Sequence, residues 1–102
     1  MSKKNIFDVN LIVGIGTKYV DIAIPTKKGD AIGLQINFFE NEKYWGISAI
    51  FDECRHTRTQ TKQADKDITM NIHFDIKKED VYANVTRFGD ANSYGLSITA
   101  TY

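Results

Sequence analysis

Apolar side chains fall on every second position through most of the chain. A strand with one dry face needs this spacing, because successive side chains point to opposite sides of the pleat. Phe7, Val9, Leu11, Val13 and Ile15 alternate with Asp8, Asn10 and Gly14, which predicts a long first strand in which Ile12 is the one apolar residue on the outer face. Gly16-Thr17-Lys18 supplies turn residues, and Val20, Ile22 and Ile24 then alternate with Asp21 and Ala23, so the first two strands are expected to form a hairpin. Pro25 cannot donate to a ladder and, with Lys27-Lys28-Gly29-Asp30 behind it, ends the second strand. Ile32, Leu34, Ile36 and Phe38 mark a third strand, and Trp45, Ile47, Ala49 and Phe51 mark a fourth beyond the polar tip Glu40-Asn41-Glu42-Lys43. Residues 1–51 therefore read as a four-strand meander.

The alternation of large apolar residues stops between Asp52 and Asp67, which predicts a long polar connector with one or two helical turns near Gln60 to Lys66. It resumes through Met70, Ile72, Phe74 and Ile76, continues from Asp80 to Phe88, and ends with Tyr94, Leu96, Ile98, Ala100 and Tyr102, giving a three-strand meander over 68–102. A shift of 50 residues lays Ile72 on Ile22, Asp80 on Asp30 and Phe88 on Phe38, and one dropped residue then lays Gly95-Leu96-Ser97 on Gly46-Ile47-Ser48. Two readings remain open: an internal duplication of a three-strand unit with the first strand as an addition, or the resemblance any two meanders share. At the third and sixth strands the match is poor, with Leu34 opposite Asn84.

The expected fold is thus a single all-β domain of about seven antiparallel strands, arranged as a 4+3 meander in a sandwich or a curved half-barrel. The last strand carries no charged side chain to discourage edge pairing. It is expected either to pair with the first strand or to form a homodimer through residues 93–102.

Composition narrows the function classes. Among 102 residues, 42% are hydrophobic and 25% charged, near globular averages, and no apolar run has the length a bilayer requires, so no membrane partner is expected. Thirteen basic and thirteen acidic side chains cancel, which removes the bulk attraction to phosphate backbones that a basic protein has. A lone cysteine, Cys54, and the lack of a secretory leader at Met1-Ser2-Lys3 point to a reducing, cytoplasmic setting. The glycosylation-like triplet Asn84-Val85-Thr86 is accidental in that setting.

Catalytic and metal motifs are weak. Cys54 and His56 stand beside Asp52 and Glu53, but no second Cys/His pair completes a tetrahedral set, so no metal or cofactor is expected. Cys54 with His56 or His73 lacks an activating motif for nucleophilic chemistry. Gly14-Ile15-Gly16-Thr17-Lys18 leads into a strand pattern where a phosphate loop needs a helix, and reads as a turn. The chain is expected not to be an enzyme.

Two binding modes follow. Arg55, His56, Arg58, Lys62 and Lys66 in the connector can contact a carboxylate-rich protein surface, though Asp52, Glu53, Asp65 and Asp67 offset their charge. The favoured expectation is a small protein-binding module acting through this connector or an open sheet edge. A short Asn-, Ile- and Lys-rich chain without an enzyme motif is of the kind phages carry as inhibitors of host or defence enzymes. The alternative is a single-stranded nucleic-acid binder, whose bases would stack on a sheet face bearing Phe39, Tyr44 and Tyr82 among Lys43, Lys77, Lys78 and Arg87.

Overall fold

A computed structural model describes residues 6–25, 31–40, 44–51, 55–61, 67–76, 79–89 and 93–102. Among them are eight strands and no helix: β1 (Ile6–Val13), β2 (Tyr19–Pro25), β3 (Ala31–Glu40), β4 (Trp45–Phe51), β5 (Arg55–Thr61), β6 (Ile68–Ile76), β7 (Glu79–Gly89) and β8 (Tyr94–Thr101). They form two antiparallel four-stranded sheets, ordered β1-β8-β7-β6 and β2-β3-β4-β5. The fold is an open sandwich with both sheets contributing to one core, and it does not close into a barrel.

The alternation in the sequence becomes the inward faces. Ile32, Leu34 and Ile36 of β3 and Trp45, Ile47, Ala49 and Phe51 of β4 meet Val81, Ala83 and Val85 of β7 and Tyr94, Leu96, Ile98 and Ala100 of β8, all buried. These central strands are dry on one side because each has a hydrogen-bonded neighbour on both flanks and a facing sheet above.

The first two strands do not form the expected hairpin: β1 pairs with β8, and β2 with β3. The segment between them turns where Thr17 N–H donates to the Gly14 carbonyl at 3.1 Å and Gly16 takes a φ of 88°. Phe38 N–H then reaches the Lys18 carbonyl at 2.9 Å, which draws the chain into register with β3. The five residues carry it from one sheet to the other, so that the apolar positions of β1 and β2 face the same interior from opposite sides.

The polar connector is also corrected. Residues 55–61 are a strand, paired with β4 from Trp45↔Thr61 to Phe51↔Arg55, and they include Gln60, where helical turns were expected; residues 62–66 lie outside the described residues. An edge strand needs no large apolar side chain. The β-branched Thr57, Thr59 and Thr61, two apart, suit a pleated strand that satisfies the free backbone groups of β4.

The last strand is not an edge. Its ladder is taken by β1 on one side and β7 on the other, which removes residues 93–102 as a route to edge-paired dimers. The sheet edges are instead β1 and β6 in one sheet and β2 and β5 in the other.

In chain terms the two sheets repeat a pattern. Each holds a three-strand meander (β2-β3-β4 or β6-β7-β8) whose last strand pairs with the strand that opens the other half, β5 beside β4 and β1 beside β8. Registers correspond as well: Leu34↔Phe51 stands where Ala83↔Ala100 does, and Phe39↔Gly46 where Phe88↔Gly95 does.

Candidate partner-binding edge

Three places in the sandwich gather chemistry. The first is one end of the core, where β7 turns Arg87 inward in line with Val81, Ala83 and Val85, leaving its side chain with 0% exposure. Its guanidinium carbon lies 3.3 Å from the Trp45 ring centroid, 4.2 Å from that of Tyr94 and 5.3 Å from that of Phe38. Tyr94 meets Phe38 and Trp45 edge-on, at 5.4 and 5.6 Å between centroids. One terminal nitrogen of Arg87 donates to the Gly46 carbonyl at 2.9 Å and to the Phe39 carbonyl at 3.4 Å, while the other lies 3.5 Å from the Glu40 carboxylate. Arg87 Nε and Trp45 Nε1 have no hydrogen-bond partner among the described residues.

Burial pulls the Arg87 guanidinium below its ordinary proton affinity, and the Tyr94 ring and Glu40 carboxylate act against that shift. The same burial raises the Tyr94 hydroxyl, with Arg87 opposing. Arginine keeps its charge in such a setting, so the cluster holds a permanent cation among three aromatic faces. With no exposed surface, the guanidinium is a structural cation that pins the two sheets together, and the expectation that Arg87 fronts a nucleic acid is overturned. A strand register that points alternate residues inward places it there; its neighbours Tyr82, Asn84 and Thr86 point out.

The second place is the outer face of the β6-β7-β8 sheet. Tyr82, 51% exposed, stacks on His73 with ring centroids 4.3 Å apart and planes 7° from parallel, and His73 Nε2 lies 3.1 Å from Asp80. Asn84 donates to Asn71 at 2.8 Å, Thr69 and Thr86 share a hydrogen bond at 3.0 Å, and Thr99 donates to Asp8 at 3.3 Å. Of the expected stacking set, Tyr82 lies on this open face, whereas Phe39 is half-buried on β3 opposite Gly46, and Tyr44 is half-buried just before β4. Lys43, Lys77 and Lys78 lie outside the described residues. The face is chiefly neutral hydroxyls and amides already bonded to one another.

The third place is the flank of the sandwich formed by β1. Its outward positions include Ile6 at 70% exposure and Ile12 at 87%, with Ile15 at 74% in the turn beyond. Its inward Phe7, Val9 and Leu11 are only partly covered, as are Val20 and Ile22 on β2. Among the described residues, no strand pairs with one side of the β1 ladder. Asp8 is the only charged residue in β1, and neither lysine nor proline guards it. By contrast β2 carries Asp21 and Pro25 and β5 carries Arg55 and Arg58; β6 has Asp75 as its one acidic or basic residue apart from His73, but its Ile68, Met70 and Ile72 are buried.

Arg55, His56 and Arg58 thus belong to an edge strand, opposite Phe51, Ile50 and Ser48, in place of the expected loop; Lys62 and Lys66 lie outside the described residues. The Cys54 position also lies outside them. Among the described residues no group of three or more metal-binding side chains is gathered, and no helix is long and apolar enough to cross a membrane. Sequence reasoning passed over the β1 edge, although Ile12 on the outer face was its signal. Comparison of the chain with protein-family models, with curated proteins and with solved structures gave no match.

Proposed function

We propose that the protein is a non-enzymatic, cytoplasmic protein-binding module that takes up an extended polypeptide segment along β1 and acts by occupying its partner, as an inhibitor does. The observation that carries this is an unguarded sheet edge with exposed Ile6 and Ile12 and half-covered Phe7, Val9 and Leu11. An added strand would gain main-chain hydrogen bonds from the ladder, and alternate side chains would supply specificity. The nucleic-acid alternative keeps Tyr82 but loses Arg87 to the core, and the face around Tyr82 is largely uncharged. The matching registers of β3-β4 and β7-β8 support the reading of an internal duplication of a three-strand unit, β2-β3-β4 and β6-β7-β8.

The test compares tagged wild-type protein with an Ile6→Lys/Ile12→Lys variant in lysate of the source cells, with and without nuclease. A protein retained by the wild type, lost from the variant and indifferent to nuclease is the expected result. Equal retention by both forms, or capture abolished by nuclease, overturns the proposal.

A further inference from the structure

We propose, resting on the edge reading above, that the segment β1 takes up is β1 of a second copy of this chain, joining the two sheets into one in the order β6-β7-β8-β1 and then the partner's β1-β8-β7-β6. The argument is one of register. Two copies of a strand related by a two-fold axis pair antiparallel, and the axis must pass through or between residues of that strand.

With the axis at Val9, Ile6 of each copy faces Ile12 of the other, Phe7 faces Leu11, and Asp8 faces Asn10, on the sequence IFDVNLIV. Every directly opposite pair from Ile6 to Ile12 is then matched. Exposed apolar side chains cover each other on the outer face, and half-covered apolar side chains do so on the inner face. The single carboxylate, already accepting from Thr99 Oγ at 3.3 Å, meets an amide that can donate to it. Moving the axis to Asp8 sets two carboxylates face to face, and moving it to Asn10 sets Asp8 against Ile12; either juxtaposition is unfavourable.

Such pairing is also closed. It uses the same edge on both copies, so no free β1 edge remains to propagate a fibre, and the outer limits of the joined sheet become two copies of β6. An exposed edge with one charge and two isoleucines, left bare, would invite uncontrolled pairing; a self-complementary register confines it to one partner.

Multi-angle light scattering on the purified full chain reads the result. The wild type is expected at twice 11.6 kDa at concentrations where Ile12→Lys and Ile6→Lys/Ile12→Lys are at 11.6 kDa. Ile6→Lys/Ile12→Glu, which sets opposite charges at the two facing positions, should regain the dimer. In a Cys54→Ser background, Val9→Cys is expected to oxidise to a covalent dimer and Asp8→Cys to remain uncrosslinked, because only residue 9 faces itself. Circular dichroism checks that each variant keeps the wild-type spectrum.

A wild type that stays monomeric at high concentration overturns self-pairing. If such a monomer still retains another protein through Ile6 and Ile12 in lysate, the broader edge reading stands apart from it. A dimer indifferent to charges at 6 and 12, or crosslinked equally through 8 and 9, overturns the axis at Val9.

Discussion

Arg87 lies against Trp45 with its guanidinium carbon 3.3 Å from the indole ring centroid, a cation from one sheet held by an aromatic ring from the other. Desolvated cation–π contacts of this kind are worth about 2 kcal/mol or more, whereas the pairing with Glu40, whose side chain is half exposed, contributes little. Replacing Arg87 by Ala leaves a cavity and two carbonyls without their donor, and should lower unfolding free energy by about 3–5 kcal/mol. Arg87→Met fills the space but leaves the same two carbonyls without a donor, so it should recover only the part of that loss that comes from the cavity. Urea unfolding followed by Trp45 fluorescence measures both; equal losses for Ala and Met would show that the charge, not the packing, holds this end.

Alkaline pH should unfasten the same cluster. The Tyr94 hydroxyl is raised from its usual 10.0 by burial, so its contribution to stability is complete below pH 10 and is lost as the solution passes through its folded-state value, where the unfolded chain has already given up the proton. Stability at increasing pH should therefore fall above about pH 10 in the wild type. Tyr94→Phe is expected to remove that fall, at the cost of a 3.4 Å hydrogen bond to the Thr17 carbonyl. A wild-type curve with the same alkaline slope as the variant would refute the assignment.

Gly95 is a point of close approach. A Cβ there would come within 2.6 Å of both the Leu11 carbonyl oxygen and Phe88 Cζ, because Phe88 lies across its cross-strand partner and β1 closes on the other side. Gly95→Ala should destabilise by about 2 kcal/mol, the usual cost of overpacking. Gly33→Ala on β3, where a Cβ meets nothing within 4 Å, should be neutral to slightly stabilising. Thermal melts of the two variants make the comparison, and a Gly95→Ala melt like that of the wild type would contradict the crowding.

Amide hydrogen exchange distinguishes interior strands from edges. Leu96 and Ile98, fully buried on a strand paired on both sides, should be among the slowest to exchange. Rapid exchange across 94–101 would return the last strand to the edge of its sheet.

The strand content was legible because alternation maps directly onto faces: Ile32, Leu34, Ile36, Ile47, Leu96 and Ile98 were all placed on alternating positions and all are buried. Partnership was less legible, since alternation says which face of a strand is dry but not which strand lies beside it. Gly16 and its neighbours suit a tight turn in either case, and it is the ladders of β1 with β8 and of β2 with β3 that distinguish a crossing between sheets from a hairpin. The strand at 55–61 is not legible from large apolar residues, because RHTRTQT has none and carries its period of two in threonines. Arg87 was misjudged on its charge: its position two residues beyond Val85 placed it inward, in step with Val81 and Ala83. Tyr82, on the opposite parity of the same strand, is 51% exposed.

The pairing of β1 with β8 sets the order of events during synthesis. Of the eight strands β1 is the first in chain order and its ladder partner β8 the last, so the Ile6↔Thr101 to Val13↔Tyr94 register closes only after the strands between them have been made. Meanwhile β2, β3 and β4 have their neighbours within reach and can assemble early. IFDVNLIV therefore stays unmatched while β2 to β7 are made, the interval in which a chaperone would have the most to hold.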